Sequence, residues 1–154
     1  MSKFTVTKYA PEHHTAFVEL NTEWIQKHFV VEKMDLIQLN QAQESILNIG
    51  GEIFFILDQG KAIATCAMVP HGEKSYELAK MAVSPHYRGQ GLGDLLIETA
   101  IAWARKKKAE EITLLSNTVL TPAITLYKKH GFVTTHLGPH PDYDRSNIEM
   151  KLVL

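Results

Sequence analysis

The sequence predicts one domain of mixed α/β (α+β) class, and three observations carry that reading. Helical periodicity and capping signals mark four stretches, and between residues 52 and 83 the chain switches to β-rich runs broken by turns of hairpin length. A glycine-rich segment then opens a long helix directly behind an arginine. At 154 residues, with 45% hydrophobic and 21% charged residues, the chain has the composition of an ordinary globular protein with room for a single core, so residues 1–154 are read as one domain. A net charge of −1, from 16 basic and 17 acidic side chains, gives no general pull toward nucleic acid or an anionic membrane. The start Met1-Ser2-Lys3-Phe4 lacks the apolar run of a signal peptide. No stretch approaches the roughly 20 apolar residues that span a bilayer, so a cytoplasmic location is expected. The single Cys66 rules out an internal disulfide and fits a reducing compartment.

Taken in order, residues 4–8 read as a short strand. Pro11 and Glu12 then open a helix in which Phe17, Leu20, Trp24, Ile25 and Phe29 recur at three-to-four spacing. A second helix is expected over residues 36–48, with Asp35 as N-cap and Gly50-Gly51 as its stop. Residues 52–57, 61–69 and 75–83 form an antiparallel meander through the turns at 58–60 and 71–74. From Leu92 the apolar positions Leu95, Leu96, Ala100, Trp103 and Ala104, completed by Thr99, make the face of a helix laid on a sheet. A strand over 111–117 follows. Next comes a short helix over 122–130, with Thr121 as N-cap, Pro122 at its first position and Gly131 past its end, and two final strands over 132–136 and 148–153.

The glycines of Arg88-Gly89-Gln90-Gly91-Leu92-Gly93 thus sit at a helix N-terminus. Free N–H groups and the positive end of the helix dipole make such a start an anion site. Glycine lets the backbone come close to the anion, and Arg88 adds a fixed positive charge. The segment reads as a phosphate loop, with a pyrophosphate as the natural occupant; a tight strand-to-helix turn is the plainer alternative. A P-loop would need Lys-Ser/Thr where Asp94 and Leu95 follow Gly93, and a dinucleotide fingerprint would need G-x-G-x-x-G, whereas these glycines are spaced G-x-G-x-G.

At these residues the chain resembles the GNAT superfamily of acetyl-coenzyme A-dependent N-acetyltransferases, whose Q/R-x-x-G-x-G/A signature lies between the fourth strand and third helix. Residues 123–132, Ala-Ile-Thr-Leu-Tyr-Lys-Lys-His-Gly-Phe, are similar to a second segment of that family, A-x-x-L-Y-x-x-x-G-F. The resemblance covers nearly the whole element order. It implies a central, mostly antiparallel twisted sheet of about six to seven strands with about four helices, acetyl-coenzyme A as cosubstrate and no metal.

The resemblance also implies roles. The N–H groups of Gly89, Gln90, Gly91, Leu92, Gly93 and Asp94, with Arg88, would hold the cofactor diphosphate, and the pantetheine arm would pair like an added strand with Met81, Ala82 and Val83. Ala123 belongs to the same cofactor surface. A strand bulge often accompanies this arrangement, and the residues Ala79-Lys80-Met81-Ala82 neither demand nor exclude one. An alkyl amine is protonated near neutral pH, so a base is required. Glu77, six positions before Val83, is the candidate, with a solvated strand carboxylate as the alternative and Glu73 as the weaker substitute. Tyr127 is the candidate acid for the leaving thiolate, with simple packing against Ala123 as the alternative. Many relatives carry an asparagine where this chain has Leu120, and Asn117 is the substitute amide unless it serves its own turn. Lys129, or Lys128, would meet the outer phosphate or simply be solvated.

Three other features are read as structural. The basic run at residues 105–108 ends a helix and is followed by two glutamates, which suits a solvated face. Cys66 reads as a small core residue. His136 and His140 straddle Gly138 and Pro139, which excludes an i, i+4 zinc pair on one helix. The acceptor is a small-molecule amine or a peptide N-terminus or lysine, shaped by residues 24–35 and 138–147. Glu32, Asp142 and Asp144 are candidates to attract a cation there, and Trp24, Phe29 and Tyr143 to flank it. A non-catalytic acyl-coenzyme A-binding or sensing module is the alternative function, and the resemblance leaves a homodimer open.

Overall fold

Runs that are apolar at nearly every position suit a sheet covered on both faces, because successive side chains then point into two different cores. A computed structural model, which describes residues 3–141 and 145–154, has this arrangement. Strands β1 (Phe4–Lys8), β2 (Glu52–Asp58), β3 (Lys61–Pro70), β4 (Ser75–Val83), β5 (Glu111–Ser116), β6 (Val133–Leu137) and β7 (Ile148–Val153) form one seven-stranded sheet in the order β1-β2-β3-β4-β5-β7-β6. Every neighbouring pair is antiparallel except β4–β5.

The expected alternation decides which core each side chain joins. Ile53, Phe55, Ala67 and Val69 pack with Phe17 of α1 (His14–His28), Leu39 of α2 (Lys33–Asn40) and Ile46. Their neighbours Phe54, Ile56, Cys66 and Met68 pack on the opposite face with Leu96, Ile97 and Ala100 of α3 (Leu92–Lys106). Helix α4 (Thr121–Lys129) joins that second layer through Ile124, Leu126 and Tyr127. The Cys66 thiol is buried, and burial pushes it up to about 12, which removes it from thiolate chemistry.

The structure corrects several expected boundaries. The second helix is not continuous over 36–48: α2 starts three residues earlier, breaks at Gln41 (φ −115°, ψ 41°) and resumes as a π-helical turn, Gln43–Leu47. Across this junction the Ser45 hydroxyl and N–H both donate to the Gln41 carbonyl, at 2.7 and 2.8 Å. Asp35 is not the N-cap. Glu32 occupies that position, and Asp35, three residues later, accepts the Glu32 N–H at 2.9 Å. Pro11–His13 form a 3₁₀ turn ahead of α1, and Phe29 lies one residue past its end. In α4 the N-cap is Leu120, so Thr121 lies inside the helix. Asn117 and Phe132 fall just outside β5 and β6.

The feature that positions the site is where the sheet opens. Strands β4 and β5 pair only through Ser75↔Glu111, Tyr76↔Ile112 and Glu77↔Thr113 and then part. On its other side β4 keeps its ladder with β3, but Ala67 faces Ala79 while Thr65 faces Ala82, so Lys80 and Met81 together oppose Cys66. This is a β-bulge in β4, with Lys80 at φ +53°.

Candidate active site

Beyond Glu77 the β4 backbone has no strand partner on its β5 side among the described residues, and the gap becomes a cleft enclosing about 780 Å³ of empty space, open solvent included. Its walls come from Asn21, Trp24 and Ile25 of α1, from Phe29, from Glu77 to Met81 of β4, from Leu115 to Asn117, and from Leu120, Ala123 and Tyr127 around α4. Five of the residues given catalytic or cofactor roles in the sequence, Glu77, Met81, Asn117, Ala123 and Tyr127, therefore meet in one place.

Glu77 is partly buried, and among the described residues its carboxylate has no hydrogen-bond or ion-pair partner, while its backbone belongs to the sheet. Burial pushes its carboxyl above the ordinary glutamate value. Lys80, His71 and His140 pull the other way without cancelling the effect, and Glu149 adds to it. Glu73 is exposed in the preceding turn. Tyr127 packs edge-on against Phe132, with ring centroids 6.0 Å apart, rather than serving only as a cover for Ala123. Burial, followed by the field of Cys66, lifts its phenol to about 12, so it keeps its proton across the physiological range.

The glycine segment follows β4 through Ser84 and a 3₁₀ turn, Pro85–Tyr87. Gly89 and Gly91 have φ of +75° and +79°, and a Cβ at either position would meet no atom within 4 Å. Both therefore serve backbone conformation and leave open space in front of the loop. The first backbone bond of α3 runs from the Leu95 N–H to the Gly91 carbonyl at 3.1 Å. No backbone acceptor takes the N–H groups of residues 89–94 among the described residues. Gly93 has a different reason: a Cβ there would lie 2.8 Å from Leu126 Cδ2, so its bare backbone lets α3 and α4 approach. Arg88 is exposed beside Val83, Pro85 and Trp24, outside the main cleft.

Two expected cofactor contacts carry other duties. Asn117 donates to the Arg145 carbonyl at 2.6 Å and accepts the Val119 N–H at 3.0 Å, so its amide holds its own turn. Lys129 donates to Asp94 at 2.9 Å, and His130 meets the same carboxylate oxygen at 2.7 Å. Both contacts hold Asp94 below the usual carboxylate value.

Sequence reasoning missed a cluster beside the cleft. Asp35 is fully buried, and it accepts Lys80 Nζ at 2.8 Å and two bonds from the Arg145 guanidinium at 2.5 and 2.6 Å. Glu32 also accepts from Arg145, at 3.1 Å, so it does not face the cleft as a free acid. Burial pushes Asp35 up, but Arg145 and Lys80 outweigh it and bring the carboxyl down to about 2. The one available signal was an acid set among the apolar residues Met34, Leu36 and Ile37, which reads equally as a cap. Trp24 and Phe29 do flank the cleft, whereas Asp142, Tyr143 and Asp144 lie outside the described residues. Among the described residues no helix is long and apolar enough to cross a membrane, and no group of three or more His, Cys, Asp or Glu side chains is arranged to hold a metal ion.

Residues 50–134 match the family described as an acetyltransferase (GNAT) domain. N-acetyltransferase 8B of Mus musculus is 30% identical over 98 residues, which cover 60% of this chain and 42% of that protein. The chain thus spans less than half the length of that relative. Among solved structures, an acetyltransferase of the GNAT family from Staphylococcus aureus superposes with a TM-score of 0.88 at 19% identity, covering 98% of this chain and 99% of that one. PaiA N-acetyltransferase from Thermoplasma acidophilum, solved in complex with coenzyme A, superposes at 0.77 with 19% identity over the whole of both chains.

Proposed function

This chain belongs to the GNAT acetyltransferase family, and on that premise we propose that it transfers an acetyl group from acetyl-coenzyme A to a primary amine held in the cleft between β4 and β5. Two features of consecutive chain segments support the proposal: a row of N–H groups at residues 89–94 without acceptors among the described residues and, before it in the chain, an open backbone edge on β4. The first fits a diphosphate, because Gly89 and Gly91 leave space in front of the row and the α3 dipole favours negative charge. The second fits an extended arm bearing amide groups, which adds to β4 along Met81, Ala82 and Val83. Arg88, Gln90, Leu92, Gly93 and Asp94 complete the loop, Ala123 lies along the same wall, and Lys129 and Asn117 contribute only as far as their present bonds allow. When bound there, acetyl-coenzyme A supplies an acetyl group activated as a thioester.

The chain's own residues would do the proton work. Glu77 accepts a proton from the acceptor ammonium at its carboxylate, leaving a neutral amine to attack. Trp24 and Phe29 shield the amine from water. Tyr127 points a phenol O–H at the leaving sulfur. Because that phenol sits near 12 and a thiol near 8.5, its contribution is a hydrogen bond to developing charge rather than early loss of its proton.

The test is an amine panel scored by release of free coenzyme A thiol. Release that depends on added amine, reduced about 10- to 100-fold in kcat by Tyr127→Phe, is the expected result. Thermal stabilisation by acetyl-coenzyme A with no amine-dependent release would instead identify a binding or sensing module.

A further inference from the structure

Strand geometry alone would put Glu77 and Lys80 on opposite faces of the sheet, since they are three positions apart and side chains alternate. The bulge removes that alternation. Ala79 packs into the α1–α2 layer, and the next side chain, Lys80, leaves on the same side to meet Asp35 of α2. Met81 then returns to the α3 layer. The irregularity that opens the β4 edge therefore also carries an ammonium group onto the face of Glu77.

Lys80 is strongly held there. Its side chain is only 5% exposed, its Nζ lies 2.8 Å from Asp35 Oδ1, and Arg145 grips the same carboxylate. Non-glycine residues rarely adopt φ near +53°, so this placement is maintained by its surroundings.

We propose that Lys80, brought to this face by the bulge and clamped by Asp35, is a positioning residue that keeps the Glu77 carboxylate ionised and ready to take the acceptor's proton; the inference rests on the reading of Glu77 as the base. Among the described residues, the titratable groups that act on Glu77 are Lys80 on its own strand, His71 just past β3, His140 in the chain before β7, and Glu149 on β7. Lys80 leads those that favour the charged form. Burial lowers the Lys80 pKa and Asp35 opposes that effect, so the clamp favours the ammonium form.

The experiment is the pH dependence of kcat/KM for amine-dependent thiol release in wild type, Lys80→Gln, Lys80→Arg and Glu77→Gln. Glutamine keeps a hydrogen-bond donor for Asp35 and removes the charge, and Arg145 still pairs with Asp35, so Lys80→Gln is expected to stay folded. Its acid limb is expected to move up by about one pH unit, which lowers the rate about tenfold on the acid side and spares it in alkali, while Lys80→Arg stays near wild type. The Glu77 carboxylate, followed by carbon NMR without substrates, is expected to titrate with the same shift. If the limb disappears in Glu77→Gln yet stays in place in Lys80→Gln, the inference about Lys80 is overturned and Glu77 stands as the base. If Glu77→Gln keeps the wild-type limb, the reading of Glu77 fails, and this inference fails with it.

Discussion

Glu77→Gln is expected to lower amine-dependent thiol release by about 10²- to 10⁴-fold near neutral pH. An alkyl amine with a pKa near 10 is almost wholly protonated there, so only a small fraction can attack unless a base collects the proton. Glu77 stands at the last rung of the β4–β5 ladder, where the cleft begins, and its carboxyl is held above the ordinary glutamate value by burial. A raised pKa makes it a stronger base than an ordinary glutamate. Glutamine has nearly the same shape and cannot accept the proton, and no described partner of Glu77 is lost, so the melting temperature should change little. The deficit should shrink as the pH approaches that of the free amine, because the substrate then arrives neutral. Rates within about twofold of wild type from about pH 6 to about pH 9 would remove Glu77 from the chemistry.

Asp35→Ala is expected to destabilise the protein by about 3–5 kcal/mol, a large share of the 5–15 kcal/mol typical of a domain. Asp35 is fully buried and takes bonds from Lys80, from Arg145 twice and from the Glu32 N–H, so it joins β4, α2 and the segment before β7. Its removal takes the Asp35 carboxylate away from Lys80, whose side chain is 5% exposed. Linkage gives the pH window. The folded-state pKa is depressed to about 2 from 3.8, so the stabilisation is fully present above about pH 4 and is lost as pH falls toward 2. Urea denaturation at neutral pH and at about pH 2.5 measures both parts: the gap between wild type and variant should narrow in acid. A difference below about 1 kcal/mol at neutrality would show that the cluster does not tie the cleft wall together.

Much of the scaffold was legible because it rests on short-range patterns. The meander announced itself through continuous apolar runs and turns, and α3 begins at Leu92, where the amphipathic series begins. Glu77 and Tyr127, which line the cleft, and the glycine segment, which lies outside it, were singled out through resemblance. What escaped was set by long-range contacts. Asp35 looks like a cap in its own neighbourhood and acquires its partners from residues 45 and 110 positions away. The bulge at Lys80 and Met81 reflects how β3 and β4 must shift past Cys66, which no local preference of those residues declares. The three glycines looked alike in sequence, yet two serve positive φ and the third serves the contact with Leu126. The π-helical turn is made by i→i−5 backbone bonds such as Asn48 N–H to the Gln43 carbonyl, a pattern that 3.6-residue periodicity does not encode.

Cofactor binding as proposed requires backbone amides at the start of α3 to grip a diphosphate. The direct measurement is a nitrogen–proton NMR titration that follows the amides of Gly89, Gly91, Leu92, Gly93 and Asp94 with coenzyme A and, in parallel, with pantetheine, which shares the arm and lacks the diphosphate. Large downfield shifts at these amides with coenzyme A, absent with pantetheine although Met81 and Val83 respond to both, are the expected result. Saturable binding of coenzyme A that leaves the amides of residues 89–94 unmoved would contradict it.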